Sequence, residues 1–242
     1  MERIGSGILP SQTHLLGKMT TMPEYLRISN ELADKFPGLA AQVVCFKDVS
    51  IKREVPELET YKGEIYSSTQ SRWEIEKLRD DPDFRAYRDF FWRLGIDPTK
   101  NRPAAEALIR RVLNDKPIPK INTWVDAYNM VSIQTAIPIA SFDADLLEGD
   151  LLMREAEEGE EFLGIAMKKP MVLKGGEAVI QDEARLIAIY PYRDADYSKV
   201  TPDTKNVLML MCGAPNITLG KLSESADLAK ITLTRFCGGN AE

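Results

Sequence analysis

The pattern of apolar residues changes near residue 137, and this change constrains the fold more than any other feature of the sequence. Before it, apolar residues recur mostly at the three- and four-residue spacing of helices. After it, short runs of β-forming residues are separated by turns; these runs are residues 137–140, 162–165, 178–180, 186–190 and 207–211. Helical spacing returns at 223–236, and the glycines that follow are typical of a helix C-terminus. Helices followed by strands predict an α+β fold.

Several elements are predicted in the first half of the chain. Residues 31–36 are predicted to form a helix, and residues 41–47, which are rich in β-formers, a strand. The polar span from there to Tyr66 predicts turns. Helical spacing is found at 73–79 and again at 84–94. The second of these carries an aromatic stripe that is predicted to be core: Phe84, Tyr87 and Phe91.

Two further helices have recognisable N-termini. Pro103 suits the first turn of a helix that ends at Leu113, because its missing N–H would have no partner there in any case. Asn122 suits the N-cap of the next helix.

The composition favours one globular domain. The chain has 242 residues, of which 44% are hydrophobic and 28% charged. Residues 1–23 have few apolar residues and no periodicity and are predicted to be a flexible tail, with the domain spanning 24–242. No apolar run approaches the ~20 residues that span a bilayer, and the N-terminus lacks a secretory core. A cytoplasmic location is therefore expected.

Histidine is nearly absent. His14 is the only one, and it lies in the predicted tail, so a catalytic triad or a histidine-rich metal site is excluded. Cys45, Cys212 and Cys237 are too few and too far apart for a disulfide framework or a zinc knuckle. Catalysis is expected to use carboxylates, amides, hydroxyls and bound water, with no cofactor and no metal.

The net charge of −6 argues against a protein that binds nucleic acid nonspecifically over a broad surface. A local basic cluster nevertheless surrounds the helix that follows Pro103, and its candidate RNA-binding residues are Lys100, Arg102, Arg110 and Arg111. Two interpretations stay open for this cluster. One is a solvated helix face with a Glu106–Arg110 pair, and the other is contact with tRNA phosphates.

Ordered motifs between residues 84 and 211 resemble one known family. Residues 95–100 read GIDPTK, 126–132 read DAYNMVS, 149–162 read GDLLMREAEEGEEF and 196–207 read DYSKVTPDTKNV. This pattern is similar to the editing (B3/B4-type) domain of the phenylalanyl-tRNA synthetase beta subunit. The resemblance implies a three-layer β/β/α domain with an unusual β-sandwich. It also implies the activity of that domain, which hydrolyses tyrosine wrongly esterified to the phenylalanine tRNA.

A free-standing copy of such a domain would act in trans on tRNA charged elsewhere. The implied partners are aminoacyl-tRNA and an aminoacyl-tRNA synthetase, with neither DNA nor a membrane. The alternative is a non-catalytic module that keeps the fold and binds tRNA, another RNA or an amino-acid-like ligand. A protein-interaction module is a third interpretation, and it predicts neither a polar-lined cavity nor binding of aminoacyl-tRNA.

The resemblance also implies site residues. The family's Thr-Asn-Tyr pattern matches Tyr128-Asn129-Met130, which makes Asn129 the leading catalytic candidate. Asp126 and Ser132 are the other two catalytic candidates. The substrate-binding candidates are Tyr128, Ala140, Thr204, Asn206 and Leu210. A structural role for Asn129 and Asp126, which would join the helix to the next loop, is the alternative.

The chain departs from the family pattern at two of these positions. The histidine of the bacterial Pro-Leu-His-Ala-Phe-Asp motif is replaced by Ala140, and the glutamate that reads the tyrosine hydroxyl by Leu210. A site that hydrogen-bonds a substrate hydroxyl discriminates by ~10⁴ or more, whereas an apolar pocket manages about 10–200 per methylene. The sequence therefore predicts a pocket for a different amino acid, apolar or small.

Acidic and basic residues after this helix allow two interpretations each. Asp143 and Asp145 suit either a carboxylate pair, for water activation or a metal site, or backbone capping at a turn, and the turn is favoured. Arg154 suits either the tRNA terminus or a structural ion pair with one of these carboxylates.

Overall fold

The computed structural model describes residues 26–242. The predicted tail of residues 1–23 lies outside the described residues. Six helices are present in the described part: α1 (Asn30–Lys35), α2 (Pro56–Arg72), α3 (Pro82–Arg93), α4 (Ala104–Leu113), α5 (Thr123–Thr135) and α6 (Leu219–Cys237). Short 3-10 helices occupy Leu78–Asp80 and Ala144–Leu146. No helix in this part of the chain is long and apolar enough to cross a bilayer.

Eleven strands in the described residues form two sheets and a ribbon. The strands are β1 (Leu26–Ile28), β2 (Ala41–Lys47), β3 (Ile139–Asp143), β4 (Leu151–Glu155), β5 (Glu158–Phe162), β6 (Met171–Lys174), β7 (Ala178–Gln181), β8 (Leu186–Ile189), β9 (Arg193–Asp194), β10 (Val207–Cys212) and β11 (Asn240–Ala241). The first sheet has the order β1-β4-β7-β8-β9, and the second has the order β11-β2-β10-β3. Strands β5 and β6 form a separate ribbon.

The second sheet is the middle of three layers. On one face it packs against α5 and α6, where the buried indole N–H of Trp124 donates to the Ser141 hydroxyl at 2.8 Å. On the other face it packs against the first sheet, and one core joins side chains of both sheets and the helices. The Tyr190 hydroxyl crosses between the sheets and donates to the carbonyl oxygen of Gly213 at 2.7 Å. The predicted α+β class and its β/β/α layering are therefore confirmed.

The clearest sequence signals correspond to real elements. The stripe of Phe84, Tyr87 and Phe91 is buried on α3 as predicted. The Asn122 side chain caps α5 by accepting a hydrogen bond from the backbone N–H of Val125 at 2.9 Å. Helix α6 ends at Cys237, and Gly238 follows it as the C-cap. Its φ of 64° is a backbone conformation that glycine adopts more readily than other residues do.

Two predictions of secondary structure were wrong, one of turns and one of a helix. The span that predicted turns contains α2, which buries Lys62 and Thr69 beside Leu58 and Ile65. Its buried face is partly polar, so it has no apolar stripe in the sequence. Residues 73–79 do not form the helix that their spacing predicts, and regular structure there is limited to the 3-10 turn at Leu78–Asp80.

Candidate active site

Two cavities open on opposite faces of β3, at the edge of the second sheet. Side chains alternate between the faces of a strand, so Ala140 faces the first sheet while Ser141 faces α5. Strand β3 pairs with β10 on one side. The segment from β9 to Lys199 lies along the other side of β3. There the Asp143 N–H donates to the Ser198 carbonyl oxygen at 2.8 Å.

The smaller cavity lies between the two sheets and has a volume of about 140 Å³. Ala140 and Cys212 form its wall on the second sheet, Tyr190 and Asp194 contribute from the first, and Ala104 closes it from the start of α4. Leu210 is the cross-strand partner of Ala140, and opposed residues of an antiparallel pair share a sheet face. The two positions at which the chain departs from the resembled family are therefore adjacent on the face toward this cavity.

The larger cavity, of about 220 Å³, lies beside α5. Its walls are mainly apolar, and the lining residues are Ile121, Val125, Tyr128, Ser141, Ile165, Asp194, Lys199 and Val200. Burial, and to a smaller extent the nearby carboxylate of Asp194, raises the pKa of the Tyr128 hydroxyl above its ordinary value. Tyr128 is therefore a neutral hydrogen-bond donor at physiological pH.

Asp194 is the residue that the two cavities share. Burial raises the pKa of its carboxyl group to about 7, against a smaller opposing effect of the hydrogen bond from the backbone N–H of Ser141. The sequence did not single out this residue. Asp196, two positions later, has the same local character but forms an ion pair with Lys199 at 2.8 Å. No local pattern distinguishes the two carboxylates.

Of the predicted site residues, Tyr128, Ala140 and Leu210 come together at these cavities. Asn129 follows Tyr128 on α5 and is half-buried. It is four residues after Val125, so the two lie on the same side of the helix. Asn129 does not itself line either cavity, and its catalytic role stays a prediction.

The other two catalytic candidates are engaged in structural contacts. The buried Ser132 hydroxyl donates to the carbonyl oxygen of Ile137 at 2.7 Å. Asp126 is buried and pairs with Lys62 at 2.8 Å, and its second oxygen accepts the backbone N–H of Ile121 at 3.0 Å. Asp126 thus joins α5 to the segment before it and to α2, rather than to the following loop that the structural alternative named. Catalytic roles for both residues stay predictions.

Thr204 and Asn206 lie near the opposite end of β3. The Thr204 hydroxyl donates to the buried Asp143 carboxylate at 2.5 Å, and the Asn206 amide donates to Asp145 at 2.9 Å. Asp143 also caps the next turn through the backbone N–H of Asp145 at 3.2 Å. These contacts fix the loop before β10. No described group of histidine, cysteine, aspartate and glutamate side chains is arranged to hold a metal ion.

The basic candidates around α4 fall into two groups. Arg110 forms a 2.7 Å ion pair with Glu106, which is fully buried and also pairs with Arg88. Arg102 and Arg111 are exposed, and with Arg110 they line a surface cleft that also includes Lys116. Lys100 is exposed nearby and lies 3.9 Å from Asp97.

Arg154 forms a structural ion pair, although with a different partner from the one expected. Its guanidinium group bonds both carboxylate oxygens of Glu160, at 2.6 and 2.9 Å, rather than Asp143 or Asp145.

The model of the B3/4 domain matches residues 86–239, which include both cavities and every lining residue of the basic cleft except Ile75. The chain belongs to the B3/4 domain family. Beta subunits of phenylalanine–tRNA ligase are among the proteins similar to this B3/4 domain. That of Psychrobacter arcticus is 24% identical over 204 residues, covering 78% of this chain and 24% of the relative. That of Mycoplasma genitalium is 29% identical over 107 residues, covering 44% and 13%, and that of Fusobacterium nucleatum is 35% identical over 89 residues, covering 37% and 11%.

This B3/4 domain therefore spans less than a quarter of the length of these curated relatives. Among solved structures, it matches an N-terminal fragment of the phenylalanyl-tRNA synthetase beta subunit from Pyrococcus horikoshii. The TM-score is 0.47 with 14% sequence identity, covering 91% of this chain and 52% of that fragment.

Proposed function

We propose that this B3/4 domain hydrolyses the ester bond between a wrongly attached amino acid and the 3′ end of a tRNA, acting in trans. The observation that carries the proposal is the pair of cavities at the edge of β3, one mainly apolar and one beside the basic helix α4. Membership of the family and similarity to phenylalanine–tRNA ligase beta subunits support it.

The chemistry suits the side chains available. An aminoacyl ester is already activated, and its neighbouring ribose hydroxyl helps to orient the attacking water. The protein then needs to hold the ester, position one water and stabilise the developing oxyanion, which are effects of positioning and electrostatics. The Asn129 amide, which both donates and accepts hydrogen bonds, is the group proposed to orient the water or the oxyanion.

The position of α4 gives the tRNA a route to the cavities. Ala104, in its first turn, lines the smaller cavity, whereas Arg102, just before the helix, belongs to the basic cleft. An acceptor end whose phosphates contact Arg102 and Arg111 would thus present its terminal ribose near the smaller cavity. The Tyr192 hydroxyl, which donates to Asn101 at 3.4 Å, links the loop before α4 to the first sheet.

The cavity walls favour apolar amino acids as substrates. Ala140 in the smaller cavity supplies no hydrogen-bonding side chain, nor does Leu210 beside it on β10, and the larger cavity is lined mainly by aliphatic groups and Tyr128. Such walls reject large or charged side chains, but they discriminate weakly between apolar ones. Selective cleavage of Tyr-tRNA over all other aminoacyl-tRNAs would contradict this assignment.

The test is deacylation of a panel of correctly and incorrectly charged tRNAs by the wild-type protein and by Asn129→Ala. We expect one mischarged species, or a small apolar group of them, to be cleaved by the wild type and at least ~100-fold more slowly by the variant. Asn240→Ala is the matched control, because Asn240 is exposed on β11 at the opposite edge of the same sheet. Equal rates for both variants would remove Asn129 from the mechanism.

A non-catalytic binding module is the second candidate function. Two observations favour it: Ala140 and Leu210 are aliphatic, and the Ser132 hydroxyl and Asp126 carboxylate are committed to structural contacts. Binding of charged tRNA with no cleavage across the whole panel would establish this function instead.

A further inference from the structure

We propose that Asp194 binds the α-ammonium group of the aminoacyl moiety, which restricts this domain to esters of amino acids with a free α-amine. This inference rests on the proposed function, because it assigns the substrate class of the same cavities. It concerns recognition, so it is testable by binding without any catalytic turnover.

The first support is that Asp194 lies where the two cavities meet. The two cavities lie on opposite faces of β3, and Asp194 contributes to both from the adjacent strand β9. The α-carbon of an amino acid ester carries three groups, namely the side chain, the ester carbonyl and the ammonium group. With the side chain in the larger apolar cavity and the ester directed to the smaller one, the ammonium group meets the carboxylate between them.

The second support is that Asp194 has no cationic partner. Among residues 26–242, no lysine or arginine lies within ion-pair distance of its carboxylate. The neighbouring Arg193 donates to the carbonyl oxygen of Ile165 at 3.3 Å and lies over the ring of Tyr192. Lys199, in the wall of the larger cavity, is paired with Asp196. The remaining titratable neighbours, Tyr128 and Cys212, are both neutral because burial raises the pKa of each.

A desolvated carboxylate without a counterion is costly, and burial accordingly raises the pKa of Asp194 to about 7, although part of the residue stays exposed. A bound ammonium group would supply the missing charge and displace water from the site, so the interaction would be stronger than at an exposed carboxylate. Among the described residues that line the larger cavity, the only other side-chain acceptors are the hydroxyls of Tyr128 and Ser141.

A purely structural role is the competing explanation, in which Asp194 only accepts the N–H of Ser141 at the free edge of β3. An asparagine side chain can accept that hydrogen bond equally well but carries no charge. Asp194→Asn therefore separates the two roles, since it keeps the edge contact and removes the charge.

The experiment uses amino acids joined by a hydrolysis-resistant amide to 3′-amino-3′-deoxyadenosine. The probes carry leucine, methionine, phenylalanine or tyrosine, each with a free amine and as its N-acetyl derivative. Binding is measured by calorimetry near neutral pH to the wild type, to Asp194→Asn and to Asp203→Asn. The last is the matched control, because Asp203 is an exposed carboxylate whose side chain has no described contact.

We expect the wild type and Asp203→Asn to bind at least one free-amine probe about tenfold or more tightly than its N-acetyl derivative. Asp194→Asn should lose that preference. The comparison of the two probes on the wild type alone tests the proposal even if Asp194→Asn fails to fold. Equal wild-type affinity for both forms, no binding of any probe, or an unchanged preference in Asp194→Asn would each overturn it. An Asp194-dependent preference without deacylation of any charged tRNA would sustain this inference and reject the hydrolytic function.

Discussion

Asp126 and Asp194 are two carboxylates close to α5 with different surroundings. The difference distinguishes a carboxylate with a structural role from one that is available to bind a ligand. Asp126 receives hydrogen bonds from Lys62 and from the backbone N–H of Ile121, so its charge is compensated. Among residues 26–242, Asp194 has no cationic partner; the backbone N–H of Ser141 is the group that stabilises its charge, and Asp194 faces two cavities. A fold gains nothing from a carboxylate that is enclosed without a counterion, so the position of Asp194 favours a role in binding.

The raised pKa of Asp194 predicts an unusual dependence of stability on pH. Between its unfolded value near 3.8 and its folded value of about 7, the unfolded state has released this proton while the folded state retains it. Stability from this group is therefore fully present below about pH 4 and is lost as pH rises toward 7. Asp194→Asn removes this titration. From pH 4 to pH 7, the free energy of unfolding of the variant should therefore rise relative to that of the wild type by roughly 2–4 kcal/mol.

Urea unfolding of both proteins at a series of pH values measures this gain. Contributions from all other titrating groups cancel in the difference between the two proteins. Asp203→Asn, whose carboxylate is exposed, should follow the wild type across the range. A difference between Asp194→Asn and the wild type that does not change with pH would show that Asp194 is not desolvated in the folded protein.

The buried Lys62–Asp126 pair yields a prediction about a catalytic candidate. Asp126→Leu leaves the buried Lys62 ammonium group with Glu59, 2.9 Å away, as its one remaining carboxylate partner among the described residues, so it should destabilise the protein by somewhat less than the ~3 kcal/mol of a fully broken buried pair. Lys62→Met combined with Asp126→Leu should restore most of that stability, as measured by urea unfolding. Deacylation by the double variant then decides the role of Asp126. Retained activity would leave it a structural residue, and lost activity in a stable double variant would assign it to catalysis.

At the level of elements, the sequence predicts what depends on local periodicity and fails where partners come from elsewhere in the chain. Helix α3 and strand β10 were predictable because each buries a regular apolar pattern. Helix α2 was not, because the Lys62 and Thr69 that it buries read as surface residues until α5 supplies Asp126. Strand β9 has only two residues, and its position next to β3 follows from sheet packing rather than from any pattern of its own.

The same reasoning explains what was predictable in the candidate site. The family motifs located α5, β3 and β10, which carry Tyr128, Asn129, Ala140 and Leu210. Asp194 was not found because its importance depends on its position beside the edge of β3, a strand that belongs to the other sheet. The lack of a counterion is what distinguishes this carboxylate, and it can be recognised only from the three-dimensional contacts.

The whole molecule combines an acidic net charge of −6 with one basic cleft at α4. Long-range repulsion from the rest of the surface opposes the attraction of that cleft for a polyanion. Since Arg110 is held by the buried Glu106, the cations available for phosphates are mainly Arg102, Arg111 and Lys116. A few phosphate contacts on an acidic protein amount to weak binding, so delivery of charged tRNA by a partner synthetase would assist the proposed reaction.

We therefore expect this protein to bind uncharged tRNA with a Kd in the range of about 1–100 µM at physiological salt, with a strong dependence on salt. Fluorescence anisotropy titrations at several salt concentrations measure both quantities. Arg102→Ala and Arg111→Ala should each weaken binding and reduce the slope of log K against log salt by about one, because each removes one phosphate contact. Arg27→Ala is the control, since Arg27 lies on β1 at the edge of the first sheet opposite to β9. Tight association at physiological salt, or equal slopes for all three variants, would place the tRNA on another surface and separate α4 from the function of the cavities.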